Sequence, residues 1–207
     1  MSTAPVGSLA PATLTQLLEA AHFAAVAHSQ QRRKSAARPA YIQHPIHVAL
    51  LLASPESSLY PNPPVEILQA AVLHDTIEDT DVTAQDLEQK FGKEVTTIVL
   101  ECSDDKNLDK AQRKQAQIDS APHKSDAAKH VKLADKLSNL RDLMSADGRP
   151  SGWPVERIQE YFVWAKMVTD ACRSVNPGLA EELETIYREG QFEHGGKTYR
   201  CHPSYSA

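Results

Sequence analysis

The run Ile67-Leu68-Gln69-Ala70-Ala71-Val72-Leu73 is apolar at all but one position and leads straight into His74-Asp75-Thr76-Ile77-Glu78-Asp79. A segment this apolar belongs in a core helix, yet it ends by presenting an imidazole and three carboxylates within a few residues. On a helix, His74 stacks over Glu78 and Asp75 over Asp79, because residues four apart share a face. Buried carboxylates are costly unless a cation or hydrogen-bond donors compensate them. A divalent metal would compensate all of these groups at once.

At 207 residues the chain suits one good-sized domain, or one domain with a tail. Residues of hydrophobic type make up 41%, but only 6% are aromatic, so Leu, Ala, Ile and Val must supply most of the packing, which favours helices. A net charge of −5 and a pI near 6.0 argue against a nucleic-acid partner, which calls for a clustered basic surface. Cys102, Cys172 and Cys201 are far apart and odd in number, with no CxxC, so neither a zinc finger nor a disulfide framework is expected. That pattern reads as a reducing compartment. No apolar run is long enough to span a membrane, and Met1 to Pro11 lacks the basic start and apolar stretch of a signal peptide. The expectation is a cytoplasmic protein with no membrane partner; the sequence carries no signal for its oligomeric state.

The predicted architecture is all-α, a compact multi-helix bundle. Residues 1–12 read as a flexible N-terminus, 13–189 as the functional domain and 190–207 as a C-terminal tail whose order periodicity does not decide. A first helix is expected from about Thr13 to Gln31, and Arg32 to Pro39 as a loop. Pro45 suits the first turn of a second helix. Pro55 to Pro64 makes a connection, and the helix carrying the His-Asp doublet starts near Val65. Thr83 with Asp86 resembles an N-cap with an acidic first turn, opening a short helix to Phe91-Gly92. Further helices are expected over 94–101, over 108–118, and from a Ser125 cap to about Ala146, with two more opened by Pro154 and Pro177. No alternating β pattern of useful length appears.

On the helix from Ser125, Leu133, Leu137, Leu140 and Met144 form one stripe, and Ala128, Val131, Asp135, Ser138, Asn139 and Asp142 fall nearly opposite. If both sides are buried, the second lines something polar, with Asp135 and Asn139 pointing together; otherwise Asp135 faces water. His44 stands just before a helix in Tyr41-Ile42-Gln43-His44-Pro45, and with nine histidines in the chain any single one is more often a surface or capping residue than a ligand. Together, His44, His74, Asp75 and Asp135 offer two imidazoles and two carboxylates from three elements. That mix suits a first-row divalent ion with open positions for water and a phosphate oxygen. Gly195-Gly196-Lys197-Thr198 ends like a P-loop, but Gln191 stands where a glycine is required, and neither a preceding strand nor room for a following helix is expected. No Ser-His-Asp elbow or dinucleotide-binding glycine pattern is present.

Five ordered blocks, Gln30 to Lys34, Tyr41 to Pro45, His74 to Asp79, Lys132 to Arg141 and Trp153 to Phe162, resemble the HD-domain phosphohydrolases. Within that family the chain is similar to the single-domain alarmone hydrolases, namely the metazoan SpoT homologue, and to the hydrolase half of RelA/SpoT proteins. The resemblance runs from about Leu17 to Tyr187. It implies His44, His74, Asp75 and Asp135 as ligands of one divalent metal, manganese being usual and zinc an alternative. It implies Glu78 and Asp79 as the acidic pair that activates or positions water, where the residues alone would also serve as charges capping the next helix. Arg32-Arg33-Lys34 reads alone as a solvated basic loop; the resemblance places such a loop over the nucleotide base, with Arg33 stacking and Lys34 meeting phosphate. It further implies Asn139 near the ribose, Arg157 and Tyr161 around the substrate, and Lys106 toward a distal phosphate.

The activity so implied is metal-dependent removal of the 3′-pyrophosphate from guanosine tetra- or pentaphosphate, a small-molecule nucleotide. A chain of 207 residues leaves no room for the synthetase domain of bipartite relatives. Two alternatives stand beside this one: a phosphatase acting on the 2′-phosphate of NADPH at the same site, and a catalytically silent nucleotide-sensing module. The Glu78-Asp79 pair speaks against the silent module, which has no need of water-activating acids. Departures from the family pattern are Ser138, where an aromatic or His is frequent, the proline-rich 54–64 loop, and the tail beyond Gly190.

Overall fold

The computed structural model describes residues 11–205. Nine α-helices run in chain order among them: α1 (Pro11–Ala27), α2 (Gln43–Leu52), α3 (Val65–Leu73), α4 (Thr76–Asp79), α5 (Ala84–Cys102), α6 (Lys110–Ser120), α7 (Asp126–Met144), α8 (Val155–Asp170) and α9 (Pro177–Glu189). A two-stranded antiparallel hairpin, β1 (Gln191–His194) and β2 (Lys197–Arg200), follows α9. The expected helical bundle is present. The loose segment expected at the N-terminus lies, over residues 1–10, outside the described residues, and Pro11 and Ala12 already belong to α1.

The bundle is organised around α7, which packs against α2, α3, α5, α8 and α9. Both of its faces are covered: Leu133, Leu137 and Leu140 are fully buried on one, and Ala128, Val131, Asp135 and Ser138 are buried on the other. Burying a polar face inside a bundle is unfavourable unless its groups are partnered. This helix therefore turns its polar face toward the ionisable end of α3. Ser125 caps α7 by accepting from the Ala128 amide at 3.2 Å, and Thr83 with Asp86 forms a reciprocal capping box at the start of α5. Replacing Leu137 by Ala should lower stability by about 2–5 kcal/mol, the usual range for a fully buried leucine. Chemical denaturation of both proteins measures it.

Several boundaries differ from those predicted. α1 stops at Ala27 rather than Gln31, and His28 to Gln31 form a turn closed by the Gln31 amide on the His28 carbonyl. The two helices expected on either side of Gly92 are joined in one bent element, α5. Most consequential, the segment carrying the doublet is not one helix. α3 ends at Leu73, His74 and Asp75 turn the chain, and α4 is a single turn bearing Glu78 and Asp79. The β1–β2 hairpin was not expected either. Its strands are four residues long, too short for alternation to register, and Gly195 and Gly196 both take positive φ (57° and 74°) at the turn, as tight hairpin turns require. A strand thus does precede Gly195-Gly196-Lys197-Thr198, but the glycines turn a hairpin and no helix follows.

Candidate functional site

The first imidazole comes from α2, where His44 is the second residue and its backbone is fixed by donation from its amide to the Tyr41 carbonyl at 3.0 Å. The second comes from the end of α3, where carbonyls lack intrahelical donors. There the His74 Nδ1–H donates to the Ala71 carbonyl (2.8 Å) and the Thr76 hydroxyl to the Leu73 carbonyl (2.7 Å). This arrangement satisfies the helix end and aims the opposite ring nitrogen away from α3. The bond to Ala71 keeps the proton on Nδ1, so Nε2 is the nitrogen left to face the cluster: a donor while the ring is charged, a lone pair once a cation takes the place of that proton.

That nitrogen points into a carboxylate cluster. His74 Nε2 lies 3.0 Å from Asp75 Oδ2 and 3.8 Å from Asp135 Oδ1; His44 Nε2 lies 3.2 Å from Asp135 Oδ1 and 3.9 Å from Asp75 Oδ2. One donor atom each from His44, His74 and Asp75 fits within a 4.8 Å span. His74 Nε2 is buried and has no well-formed hydrogen bond, an uncommon state for a polar atom. The arrangement favours positive charge. Burial works against a charged His74 ring, yet Asp75 and Asp135 outweigh it and hold its pKa well above the ordinary value. Burial likewise works against the carboxylates, but His74 and His44 draw the Asp75 pKa down, and Lys136 with the two histidines draws down that of Asp135. Two imidazoles and two carboxylates, with a buried ring nitrogen among them that makes no well-formed hydrogen bond, fit a divalent cation by donor type and by charge.

Around this group stands a set of orienting side chains. Tyr41 donates its hydroxyl to Asp75 Oδ2 at 2.6 Å, and burial together with Asp75 and Asp79 raises its pKa so that it stays a donor. Lys136 Nζ binds Asp135 Oδ2 at 2.9 Å and Asn139 Nδ2 donates to Asp135 Oδ1 at 2.7 Å. Behind His44, the Ser138 hydroxyl lies 3.1 Å from His44 Nδ1 and 3.0 Å from His47 Nδ1. With the His44 proton on Nδ1, Ser138 accepts from His44 and donates to His47, leaving His44 Nε2 as an acceptor toward the cluster. The His47 pKa is lowered, by burial first and by Arg141 second, consistent with an accepting ring.

Glu78 and Asp79 lie on the wall of an adjoining cavity of about 990 Å³, together with Gln31, Lys106 and Phe23. Burial raises the Glu78 pKa although its Oε2 accepts from the Asp104 amide at 3.0 Å. Asp79 accepts from Gln31 Nε2 at 2.8 Å. A second cleft of about 270 Å³ is lined by Arg33, Lys34, Tyr41, Asp79, Asn139, Gly148, Pro150 and Trp153. Asp79 therefore borders both spaces, with Lys106 on one side and Arg33, Lys34 and Asn139 on the other. Arg157 and Tyr161 line neither space; the Arg157 guanidinium stacks 4.2 Å over the Trp153 ring and Tyr161 lies edge-on to Trp164.

Tyr41, Gln31, Lys136, Ser138 and His47 were not singled out as functional residues, although each lies in or beside a motif block. Asp142 was missed as a partner of Arg33, to which it is bound at 2.6 Å while Arg33 also donates to Asn139 at 3.2 Å. Arg33 is thus held over the cleft rather than solvated, against the reading of a loose basic loop. On the expectation that Arg33 stacks on a bound base, Arg33→Ala should raise the KM for a nucleotide substrate several-fold with metal content unchanged, one stacking cation being worth about 0.5–2 kcal/mol. Steady-state kinetics with parallel metal analysis decides it.

The HD domain family model matches residues 20–157. The chain is 49% identical over 174 residues to the guanosine-3′,5′-bis(diphosphate) 3′-pyrophosphohydrolase MESH1 of Mus musculus, a span of 84% of this chain and 94% of that one. It is 37% identical over 138 residues to the bifunctional (p)ppGpp synthase/hydrolase SpoT of Escherichia coli K12, covering 64% of this chain and 18% of SpoT. Among solved structures it superposes on a metazoan orthologue of SpoT that hydrolyses ppGpp, with a TM-score of 0.80 and 41% identity over 88% of this chain and 98% of the other. With the matched span running from α1 into α8, through the first histidine of the cluster and its last aspartate, the chain belongs to the HD domain family.

Proposed function

We propose that the protein is a metal-dependent (p)ppGpp 3′-pyrophosphohydrolase, converting guanosine tetra- or pentaphosphate and water into GDP or GTP and pyrophosphate. The observation that carries the reading is the cluster of His44, His74, Asp75 and Asp135, with the buried His74 Nε2 aimed into it and making no well-formed hydrogen bond. The extensive similarity to MESH1 supports the substrate. His44, His74, Asp75 and Asp135 are the residues that would hold the cation, and manganese is the ion we assign. When bound, such an ion polarises a phosphate oxygen and lowers the pKa of water.

The protein's own groups do the rest. Glu78, made more basic by burial, takes a proton from the attacking water at its carboxylate. Asp79, held by Gln31, orients that water between the two spaces it borders. The water oxygen bonds to phosphorus, the bond from phosphorus to the ribose 3′ oxygen breaks, and the 3′ oxygen takes up a proton. Asn139 meets the ribose, Arg33 and Lys34 meet the base and a phosphate, and Lys106 neutralises the distal phosphate. Arg157 and Tyr161 act through Trp153 and the cleft wall. No helix among the described residues is long and apolar enough to cross a membrane; we assign the protein to the cytoplasm.

Exhaustive chelation should abolish turnover of guanosine tetraphosphate, and added Mn²⁺ should restore it. Activity that survives removal of all metal would overturn the reading.

A further inference from the structure

The C-terminal hairpin is joined to the smaller cleft by one buried arginine. Arg149 is 9% exposed. Its Nε donates to the Leu143 carbonyl (2.8 Å), Nη2 to the Met144 carbonyl (3.2 Å) and Nη1 to the Glu193 carbonyl on β1 (2.7 Å). The guanidinium carbon also lies 5.0 Å from the centroid of the Phe192 ring. Leu143 and Met144 form the last turn of α7, where carbonyls lack helical donors. One side chain therefore closes the end of α7 and rests on the face of a hairpin aromatic.

The residues either side of Arg149 form a wall of the cleft. Gly148, Pro150 and Trp153 line it together with Arg33 and Lys34. The Ser151 amide donates to the Lys34 carbonyl at 3.0 Å, and Ser35 pairs with Pro150 in an isolated bridge. Gly148 sits against Asp142, the partner of Arg33, so closely that a Cβ there would meet the Asp142 backbone at 2.9 Å. The 148–153 segment has no helix or strand of its own, so its order must come from such contacts.

The hairpin is fastened independently of Arg149. The Cys201 amide donates to the Gly190 carbonyl (2.9 Å), Gln159 of α8 to the Arg200 carbonyl (2.9 Å), and the Tyr205 hydroxyl to Glu184 of α9 (3.1 Å). It is a fixed base on which Arg149 bears.

We propose that the hairpin sets the geometry of the nucleotide-binding cleft, with Arg149 and Phe192 as positioning residues that hold the 148–153 wall, and through it the Arg33-Lys34 loop, against the purine end of the substrate. This rests on the reading of that cleft as the nucleotide site. Neither residue approaches the metal cluster, so the effect falls on substrate binding and not on the chemical step.

The test compares wild type with Phe192→Ala, Phe192→Tyr and Arg149→Ala. Hydrogen exchange is followed at the Ser151 and Trp153 amides, and KM, kcat and manganese affinity are measured for guanosine tetraphosphate. Phe192→Ala and Arg149→Ala should speed exchange at 151–153 and raise KM about three- to tenfold, the range in which residues without ligand contact tune binding, with kcat and manganese affinity held. Phe192→Tyr, which keeps the ring, should restore wild-type values. Wild-type turnover combined with unchanged exchange and KM in Phe192→Ala overturns this assignment alone. So does a parallel fall in kcat, manganese affinity and melting temperature, which marks general destabilisation. A wild type that hydrolyses neither guanosine tetraphosphate nor NADPH overturns the nucleotide reading, and this assignment with it.

Discussion

Asp75→Asn should empty the metal site and lower kcat/KM by roughly three orders of magnitude or more, since a catalytic cation contributes several kcal/mol of charge stabilisation. The amide keeps the volume of the carboxylate and an oxygen to accept from Tyr41, whose hydroxyl donates to Asp75 Oδ2 at 2.6 Å. What it removes is one of the two negative charges that face the histidine nitrogens. Affinity for the cation should fall by more than the roughly 10–100-fold that losing an outer partner costs. Because the substitution also removes a buried charge, the fold should survive, and an unchanged far-ultraviolet spectrum separates metal loss from unfolding. Asp135 is less suitable for this experiment. Its removal would leave the buried Lys136 ammonium, bound to it at 2.9 Å, without its anion, and breaking a buried pair is itself destabilising by about 3–5 kcal/mol. An Asp75→Asn protein with full metal content and full turnover is incompatible with the cluster acting as a cation site.

Glu78→Gln should give the opposite pairing of results: metal retained, kcat reduced by about 10²–10⁴-fold, the usual contribution of a positioned base. Glu78 stands on α4, outside the four-residue cluster, and among the described residues its carboxylate accepts one hydrogen bond, from the Asp104 amide. The glutamine oxygen preserves that contact, so the loop before α6 stays in place while the proton acceptor is lost. Single-turnover kinetics on manganese-loaded protein measures the chemical step without product release. Wild-type single-turnover rates would remove Glu78 from the mechanism and leave Asp79 as the remaining acid beside the cluster.

The fold class was legible because its signals are local. The periodic apolar stripe of α7, the Ser125 and Thr83 caps, and the prolines that open α8 and α9 each act over a few residues. Convergence of His44, His74, Asp75 and Asp135 was legible through motif order, since periodicity alone left Asp135 free to face water. What the sequence hid is non-local or cancels locally. No propensity change marks the break between α3 and α4, because His74 and Asp75 keep helical dihedrals (φ −57°, ψ −30° and φ −97°, ψ −3°); the turn is stabilised by side-chain bonds to the helix end. The Arg33–Asp142 pair joins residues 109 apart. The Arg149 clamp depends on a hairpin of two four-residue strands. Ser138 stood out in the sequence only as a departure from the family pattern, whereas it is 1% exposed and links His44 to His47. The partner that gives it that role, His47, stands one helical turn beyond His44.

On the proposed function, this site cleaves a pyrophosphate from a ribose 3′ position. That reaction is tested most directly by incubating the manganese-loaded protein with guanosine tetraphosphate and, separately, with NADPH, and resolving the products by anion-exchange chromatography. GDP and pyrophosphate should form in equal amounts from guanosine tetraphosphate, faster than inorganic phosphate is released from NADPH. Rapid release of phosphate from NADPH with no pyrophosphate from guanosine tetraphosphate would contradict it, and would make the protein a ribose 2′-phosphatase built on the same cluster.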